Sequence, residues 1–303
     1  METYDVIIIG AGPAGLSAAI YTTRGNLNTL VLESDTPGGK VVKTSDISNW
    51  PGMIHVEGAT LAYNMFEQVL SLNATYKYGN VLKIENKKNC KVVITDDSKY
   101  KARAIIIATG TQNKKLGLDK EDIFYGNGIS YCAVCDAKLY QGKTIAVIGG
   151  GDSALKEAIY LSNYAHEVIL VHRKNTFRAS ELLINKMIKT PNILCKTPYV
   201  VKTLHGEKKL NGITIINEEN KDSLYLNVDG IFPFIGSNPA TDFVKDLNIT
   251  DEKGYILVNQ NMETQIEGIY AAGDVIAKQL RQVVTACNDG AIAGQHIVEK
   301  LKM

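Results

Sequence analysis

The sequence predicts an α/β fold with two three-layer domains, the second inserted into the first. Two apolar runs, residues 6–9 and 145–148, are each followed by a glycine-rich turn, a helix-like stretch and another apolar run. This order is typical of a βαβ unit, in which the glycines let the chain turn sharply from strand to helix. The chain beyond the second unit is too short to form a domain of its own, so we expect it to return and complete the first.

The first turn reads Gly10-Ala11-Gly12-Pro13-Ala14-Gly15. Such a turn points backbone N–H groups and a helix N-terminus at a pyrophosphate, which makes this unit Rossmann-like. The next strand ends at Glu33, roughly 20 residues further on, where a carboxylate accepts hydrogen bonds from ribose hydroxyls. A solvated strand end would explain Glu33 without a ligand, but its position favours ribose binding. The first unit therefore predicts a site for FAD or NAD.

The second turn reads Gly149-Gly150-Gly151-Asp152-Ser153-Ala154, and the strand after its helix ends in His172-Arg173-Lys174, with Arg178 close behind. An arginine at this position suits the 2′-phosphate of NADP, and arginine side chains bind phosphate in bidentate fashion. A short basic run is often only a solvated edge. Here it falls at the carboxyl end of a strand in a βαβ unit, where ligands of open α/β sheets bind. The second unit therefore predicts an NADP site.

Five cysteines form an odd and sparse set, which argues against a secreted disulfide framework. Cys132 and Cys135 make a CxxC pair, which in an intracellular protein indicates either redox chemistry or half of a zinc site. No other Cys or His pair in the sequence has ligand spacing, so redox chemistry is the favoured interpretation. Cys90, Cys195 and Cys287 are isolated among apolar or small residues and are interpreted as packing cysteines.

The CxxC pair has a simple chemical interpretation if Cys132 and Cys135 open a helix. They then stand one turn apart, and their sulfurs come within disulfide range. The helix N-terminus lowers the pKa of one thiol and favours attack by its thiolate. Asp136 follows directly. It is either a first-turn acid that favours the helix N-terminus or the group that passes a proton to a leaving thiolate, and the sequence leaves both roles open.

Further elements are predicted between and after the two units. Helical spacing marks residues 61–72, and a closing helix is expected near residues 282–301. Strands are expected at the following positions: 81–84, 91–95, 104–107, 212–216, 225–228, 230–235, 254–258 and 268–272. A polar, linker-like stretch at 111–115 and a hinge-like turn at 236–239 mark the passages between domains. We expect a discontinuous FAD-binding domain from residues 1–112 and 240–303, and an inserted NADP-binding domain at residues 113–239 that carries the CxxC pair.

Two positions near the C-terminal end are candidate flavin contacts. Gly273-Asp274 follows an apolar strand, and a carboxylate there can accept hydrogen bonds from the ribityl hydroxyls of a flavin, although a turn-forming Asp explains the same residue. Arg281-Gln282-Val283 lies at the start of the last helix, where backbone N–H groups can point at the flavin pyrimidine.

Composition disfavours several other classes of protein. The net charge is +1 and charged residues make up 21%, which indicates neither a nucleic-acid surface nor a polybasic membrane patch. The longest apolar stretch, residues 6–21, is interrupted by glycines and is shorter than the roughly 20 residues of a membrane-spanning helix. Glu2 and Asp5 stand where a secretory signal has basic residues. We expect a cytoplasmic protein with no nucleic-acid partner and no membrane association.

Taken together, these residues resemble the bacterial-type, low-molecular-weight thioredoxin reductase family over essentially the whole chain. The most specific marker is Cys132-Ala133-Val134-Cys135-Asp136, placed just before the second glycine turn. The other markers are the two glycine turns, the basic cluster and four short runs: Asn49-Trp50-Pro51-Gly52, Ala108-Thr109-Gly110, Gly273-Asp274 and Arg281-Gln282. Glutathione-reductase-like enzymes instead carry a CxxxxC where this chain has Gly38-Gly39-Lys40.

The resemblance implies a homodimeric FAD enzyme that passes electrons from NADPH through the flavin to Cys132 and Cys135, and then to the disulfide of thioredoxin. It also implies flavin contacts outside the first glycine turn, at Gly39, Lys40, Asn49, Val81, Ala108, Thr109 and Gly110. Because the inserted domain would carry both the dithiol and the NADP site, it implies a rotation of that domain, with residues 111–115 and 236–239 as hinges.

Three positions depart from the family pattern. Lys174 stands where a second arginine is usual, which bears on NADPH selectivity. Lys40 stands where Gln is common close to the flavin, so its charge bears on the flavin potential. Ala137 replaces a common glycine after the CxxC-Asp.

Two other interpretations of the sequence stay open. One is a related flavoprotein reductase that serves a different thioredoxin-fold or peroxiredoxin-linked carrier. The other is a flavin redox sensor without turnover. The CxxC-Asp together with the basic cluster disfavours the sensor, which needs no hydride donor.

Overall fold

The computed structural model describes residues 1–44, 47–88 and 90–302. By its internal contacts the chain divides into two compact units, Met1–Gln112 with Asn238–Met303 and Asn113–Ser237. The second unit is therefore an insertion within the first in the order of the chain. The return passage falls at Ser237, two residues before the position expected from the sequence.

Strands and helices alternate at residues 2–71 and 144–188, whereas consecutive strands occupy residues 75–113 and 193–239. The strands are β1 (Glu2–Ile9), β2 (Thr29–Glu33), β3 (Thr75–Tyr78), β4 (Val81–Lys87), β5 (Cys90–Thr95), β6 (Lys99–Ile107), β7 (Thr111–Asn113), β8 (Thr144–Ile148), β9 (Glu167–Val171), β10 (Ile193–Lys196), β11 (Tyr199–Gly206), β12 (Leu210–Asn217), β13 (Ser223–Leu226), β14 (Gly230–Pro233), β15 (Ser237–Pro239) and β16 (Ile269–Ala271). The α-helices are α1 (Pro13–Arg24), α2 (Gly58–Ser71), α3 (Glu121–Phe124), α4 (Ala133–Asp136), α5 (Asp152–Leu161), α6 (Glu181–Ile188) and α7 (Val283–Lys302). Short 3-10 helices lie at Gly39–Lys43, Ala137–Tyr140, Asp242–Leu247 and Gly273–Val275.

The first unit is built on one mixed sheet with the strand order β3-β2-β1-β6-β5-β4. Strands β3, β2, β1 and β6 are parallel neighbours, whereas β6, β5 and β4 form an antiparallel meander. The N-terminal half of β6 pairs with β5, and its C-terminal half pairs with β16. The last part of the chain therefore contributes a strand to the sheet that the first part began.

Both faces of this sheet are buried, which explains the unbroken apolar run of β1. Val6 and Ile8 pack on the side of α1 and α7, while Ile7 and Ile9 pack on the opposite side with Val244 and other apolar residues. Side chains alternate between the two faces of a strand, so a strand covered on both faces must be apolar at every position.

Helices α1 and α7 pack closely because glycines line their contact. A Cβ on Gly290 would overlap the carbonyl oxygen of Ala14, and a Cβ on Gly294 would approach that of Ala18 to 2.8 Å. Any larger residue at these two positions would push the helices apart. The closing helix predicted near residues 282–301 is therefore an integral layer of the first unit.

The second unit has three layers around a parallel sheet with the strand order β10-β9-β8-β14. Ile145 and Val147 of β8 face the layer that contains α5 and α6. Ala146 and Ile148 face the layer that contains the antiparallel sheet β11-β12-β13. The second βαβ unit is thus β8-α5-β9, as the sequence predicts.

One strand expected from the sequence is wrong. Residues 254–258 form only isolated bridges, in which Ile256 pairs with Thr250 and Ile276. The Asp251 carboxylate accepts the backbone N–H groups of Lys253 and Tyr255, so a turn takes up donors that a strand would need. No helix within the described parts of the chain combines the length and apolar character needed to cross a bilayer.

Candidate redox and dinucleotide sites

The first glycine turn joins β1 to α1 and leaves open space beside the helix N-terminus. Gly10 has φ +103°, and a Cβ there would overlap the Ala108 carbonyl. Gly12 is the N-cap of α1; no side chain of the described residues caps this helix, and no atom lies within 4 Å of where a Cβ on Gly12 would stand. Uncapped N–H groups beside open space fit a pyrophosphate.

Glu33 lies at the end of β2 and is bound to the same turn. Its Oε2 accepts the Ala11 N–H at 2.7 Å, and its Oε1 accepts the N–H groups of Ser34 and Asp35 at 2.8 and 2.9 Å. A carboxylate has about four lone-pair sites, so these three bonds fix its position and leave capacity for one more donor. This arrangement leaves room for a ribose hydroxyl to donate to Glu33. That contact remains a prediction.

Asp274 follows β16 in a turn where Gly273 has φ +82°. Burial raises the pKa of the Asp274 carboxyl, although the positive charges of Lys278 and Lys40 act in the opposite direction. No residue that the structure describes donates a hydrogen bond to this half-buried carboxylate. Hydroxyl donors such as those of a ribityl chain would satisfy it, so Asp274 fits the flavin role expected from the sequence.

Several other residues predicted to contact the flavin lie close to one another or to neighbouring side chains. The Lys40 ammonium donates to the Thr111 hydroxyl at 2.7 Å, and burial lowers the pKa of Lys40. The Asn49 amide donates to the Gln282 side-chain oxygen at 3.0 Å, which ties residue 49 to the start of α7. Gly39 has φ +57°, and a Cβ on it would lie 3.4 Å from Gly12.

Other predicted residues have protein partners or no special contact. The Arg281 guanidinium donates to the carbonyls of Asp274 and Ile276 and stacks 4.3 Å over the ring of Tyr255. It therefore braces the Asp274 turn. The Thr109 hydroxyl donates to a backbone carbonyl at residue 240, and no atom lies near the position of a Cβ on Gly110. Val81 lies on β4 and packs against the core, and Val283 begins α7; their contacts with a flavin remain predictions.

A buried ion pair beside Asp274 was missed by the sequence analysis. Lys278 Nζ lies 2.6 Å from Asp289 Oδ2, and the two side chains are only 13% and 8% exposed. The same carboxylate oxygen accepts the N–H of Gly273 at 3.1 Å. The pair thus fixes the turn that carries Asp274. The sequence carried no clear signal of the pair, because α7 has other polar residues, among them Asn288 and Glu299.

The second glycine turn joins β8 to α5. A Cβ on Gly150 would overlap the ring of His172, whereas Gly151, the N-cap of α5, has no atom within 4 Å of its Cβ position. No side chain in the described residues caps α5. Asp152, its first residue, instead accepts the backbone N–H of Ser180 at 2.7 Å. The open, uncapped N-terminus again fits a pyrophosphate.

His172 lies beneath this turn and is buried. Its ring stacks on Phe177, and its Nε2 lies 3.2 Å from the carbonyl oxygen of Thr176. Burial, aided by the positive charges of Arg178 and Arg173, lowers the pKa of His172 and favours the neutral ring. The structure gives His172 a supporting position under Gly150; a direct contact with a cofactor remains a prediction.

Arg173, Lys174 and Arg178 are exposed at the carboxyl end of β9. Within the described residues, no carboxylate lies at ion-pair distance from any of the three. The backbone N–H of Arg178 donates to the Gly150 carbonyl at 2.7 Å, so the basic cluster is attached to the glycine turn. Free cationic side chains beside a pyrophosphate-type turn fit a dinucleotide with an additional phosphate.

The CxxC pair lies in the second unit as a Cys132–Cys135 disulfide. Cys132 is the N-cap of the one-turn helix α4, and its Sγ accepts the N–H of Cys135 at 3.2 Å. Cys132 is half-buried and Cys135 is exposed. Asp136, the last residue of α4, is half-buried beside them. The predicted pairing and the short helix opening at the CxxC are therefore present.

Three further residues fix the segment before Cys132, and none of them was predicted from the sequence. The Ser130 hydroxyl accepts the Cys132 N–H at 3.0 Å and lies 3.2 Å from its carbonyl oxygen. Tyr131 donates its hydroxyl to Glu121 at 2.6 Å. The spacing of Ser130, Tyr131 and Glu121 in the sequence does not predict these hydrogen bonds. Glu121 lies in a polar stretch, which by itself predicts a solvated loop.

Glu157, one turn into α5, carries a buried carboxyl oxygen without a hydrogen-bond partner in the described residues. Burial raises the pKa of Glu157 to about 7, against a smaller opposing effect of Lys156. The folded chain thus retains a proton that the unfolded chain releases near its ordinary pKa of 4.5. The folded state binds more protons between these values, so Glu157 makes stability fall as the pH rises from about 4.5 to 7.

Glu157→Gln, which is neutral at every pH, is therefore expected to stabilise the protein by about 2–3 kcal/mol at pH 8 and to have little effect at pH 4. Urea unfolding midpoints at the two pH values measure the effect. Glu207→Gln, at an exposed carboxylate of the same unit, is the matched control. Equal shifts of the Glu157→Gln midpoint at both pH values would contradict the assignment of a protonated carboxyl.

Comparison with known proteins agrees with this arrangement. Residues 4–290 match the pyridine nucleotide-disulphide oxidoreductase family. Thioredoxin reductase of Bacillus subtilis is 43% identical over 99% of this chain and 96% of its own length, and that of Mycoplasma pneumoniae is 43% identical over 96% and 93%. The solved structure of Lactococcus lactis thioredoxin reductase superposes with a TM-score of 0.96 at 39% identity, covering 99% of this chain and all of the other.

These matches extend through both units of the chain. The chain belongs to the pyridine nucleotide-disulphide oxidoreductases and, within them, to the bacterial-type thioredoxin reductases.

Proposed function

We propose that the protein is a flavin-dependent oxidoreductase that uses NADPH to reduce the disulfide of thioredoxin. The observation that carries the proposal is the Cys132–Cys135 disulfide in the same unit as an uncapped glycine turn with a free basic cluster. That unit thus combines a two-electron acceptor with the features of a pyridine nucleotide site. The relatives named thioredoxin reductase, 43% identical over nearly the whole chain, support the same conclusion.

The residues of the first unit would hold FAD. The turn at Gly12 would hold the pyrophosphate, Glu33 would accept hydrogen bonds from the ribose, and Asp274 would accept them from the ribityl hydroxyls. When bound, FAD would supply the two-electron chemistry that links hydride transfer from a nicotinamide to reduction of a disulfide.

The cysteines perform the remaining chemistry. Two electrons and two protons break the Cys132–Cys135 bond and leave two thiols. One thiolate then attacks the substrate disulfide, forms a mixed disulfide and displaces a substrate thiolate, to which Asp136 would pass a proton. Attack by the second cysteine restores the Cys132–Cys135 bond and releases thioredoxin as a dithiol.

The decisive test is an anaerobic titration of the purified protein with NADPH, followed by addition of oxidised thioredoxin. The flavin absorbance is expected to bleach with NADPH and to recover with thioredoxin. A folded protein that contains no flavin, or a flavin that NADPH does not reduce, would overturn the proposal. Bleaching without recovery would instead favour a related reductase that serves a different thioredoxin-fold or peroxiredoxin-linked carrier.

NADPH is expected to be preferred to NADH, because Arg173 and Arg178 can bind the 2′-phosphate. Replacing both with Ala should raise KM for NADPH by tenfold or more and leave KM for NADH within about twofold, since each charge-assisted hydrogen bond contributes about 1.5–3 kcal/mol. Steady-state kinetics with both nucleotides measure the change. Lys186→Ala, at an exposed cation elsewhere on this unit, is the control. Equal losses with NADPH and NADH would show that the cluster is only a solvated edge.

Two further features follow from the resemblance. We infer a homodimer, which sedimentation analysis of the holoprotein would test, and a location in the cytoplasm, which fractionation of cells would test. The extents of the FAD-binding and NADP-binding domains, residues 1–112 with 240–303 and residues 113–239, belong to the same proposal.

A further inference from the structure

We propose that Glu121 and Tyr131 are positioning residues for the disulfide step: together they hold the segment that ends in Cys132 and so favour closure of the Cys132–Cys135 bond. The inference rests on the proposed function and adds to it a network of residues that do not touch the reacting sulfurs. All of these residues lie in the second unit.

Glu121 is the centre of the network. The residue is 5% exposed, yet its carboxylate is fully engaged. Oε1 accepts the N–H of Leu116 at 2.7 Å and the hydroxyl of Tyr131 at 2.6 Å. Oε2 accepts the N–H of Gly117 at 2.7 Å and that of Leu118 at 3.4 Å. One buried side chain thus connects the loop at residues 116–118 to Tyr131.

Tyr131 carries this connection to the redox pair, because it immediately precedes Cys132. Its hydroxyl is held in the donor role: burial and the bond to Glu121 both raise the pKa of Tyr131. A hydrogen bond to a carboxylate is shorter and stronger than one between neutral groups. The Tyr131 ring is therefore anchored at its far end, and this bond restrains the backbone that leads into Cys132.

Ser130 and the sheet hold the other side of the same segment. The Ser130 N–H donates to the Ile231 carbonyl of β14 at 3.0 Å, and its hydroxyl accepts the Cys132 N–H. Cys132 is thus fixed from the sheet through Ser130 and from the loop at residues 116–118 through Tyr131. Both attachments act on the backbone of Cys132 and leave its sulfur free to react.

A fixed backbone at Cys132 has a thermodynamic consequence. Closing a disulfide from two thiols costs conformational entropy, because the segments that carry the two sulfurs become ordered. This cost is smaller when one of the segments is already held in place. Loosening the segment should therefore shift the equilibrium from the disulfide toward the dithiol. It should not change reduction of the flavin by NADPH, which precedes the disulfide step.

The test compares Tyr131→Phe with Tyr125→Phe in the FAD-loaded protein. Tyr131→Phe removes one hydroxyl and keeps the ring, so the unit is expected to fold. Tyr125 is 65% exposed, and its ring lies 6.1 Å from that of Tyr131, which makes it a matched control. Equilibration in dithiothreitol redox buffers, followed by thiol alkylation and mass spectrometry, measures the equilibrium constant of the Cys132–Cys135 couple.

Tyr131→Phe is expected to lower the equilibrium constant for disulfide formation by about threefold to tenfold, where tenfold corresponds to about 30 mV for this two-electron couple. The value of kcat with thioredoxin should fall by a similar factor, with KM within about twofold. Glu121→Gln, which keeps the shape but loses the carboxylate charge, should shift the equilibrium in the same direction.

Two results separate failure of this inference from failure of the proposed function. If NADPH does not reduce the flavin of the unaltered protein, the proposed function is wrong. If it does, and Tyr131→Phe matches Tyr125→Phe both in equilibrium constant and in kcat, Glu121 and Tyr131 have no positioning role. If Tyr131→Phe lowers the equilibrium constant for disulfide formation, Tyr125→Phe does not, and NADPH still reduces the flavin rapidly, the inference is supported.

Discussion

Cys132→Ser and Cys135→Ser are each expected to abolish thioredoxin reduction and to leave reduction of the flavin by NADPH within about twofold of the unaltered protein. Serine cannot form the Cys132–Cys135 bond, so the electrons have no acceptor beyond the flavin. Hydride transfer precedes that step and does not use either sulfur. Stopped-flow absorbance of the flavin and a thioredoxin-linked assay measure the two half-reactions separately.

The two variants are also expected to differ from each other. In Cys135→Ser, Cys132 can attack thioredoxin but nothing can resolve the product, so a mixed disulfide should accumulate. The Cys135 N–H, which Cys132 Sγ accepts at 3.2 Å, supports a thiolate on Cys132. Mass spectrometry of the trapped complex identifies the linked cysteine. Cys195→Ser, at an isolated cysteine, is the control. Near-normal thioredoxin turnover in both CxxC variants would refute the whole electron path.

Asp289→Ala is expected to destabilise the protein by about 3–5 kcal/mol, the range for a buried ion pair from which one partner is removed. The variant leaves the Lys278 ammonium buried without an anion and the Gly273 N–H without its acceptor. The turn that presents Asp274 loses its support at the same time, so FAD should bind more weakly as well. Urea unfolding and titration of the apoprotein with FAD measure the two effects.

Two variants test whether the burial of the pair is the cause. Lys278→Met with Asp289→Leu removes both charges and should recover most of the stability, because an apolar replacement of a buried pair is often neutral. Asp246→Ala breaks the exposed pair with Lys83 and should change the unfolding midpoint little. If Asp289→Ala unfolds at the same urea concentration as the Asp246→Ala control, the pair contributes nothing measurable.

The sequence was most informative where one physical requirement determines both pattern and structure. The apolar run of β1 is unbroken because both faces of its sheet are covered. Position 10 is a glycine because the backbone there has φ +103° and lies against the Ala108 carbonyl. The two βαβ units and the disulfide pair were therefore predictable. Strand β3 was not, since Thr75–Tyr78 is a four-residue edge strand whose side chains all keep some exposure.

The parts of the site that were not predicted are hydrogen bonds. Their residues are distant in sequence, or belong to polar types that occur equally in solvent and in buried networks. Glu121 in a polar stretch has the same sequence signature whether it is solvated or accepts four donors. Asp289 becomes interpretable only when Lys278 and Gly273 are seen beside it. Residues such as Arg281 were predicted to lie at the site, but their protein partners required the structure.

The way α7 packs on α1 bears on the order in which the protein can fold during synthesis. Residues 113–237 leave the ribosome as a complete unit, while the first unit still lacks β16 and α7. Domains made first usually fold first. Here the segment made first must wait, with the apolar surface that Gly290 and Gly294 later cover still exposed, until the last helix has been translated. The inserted unit can therefore close its core before the unit that surrounds it in the chain.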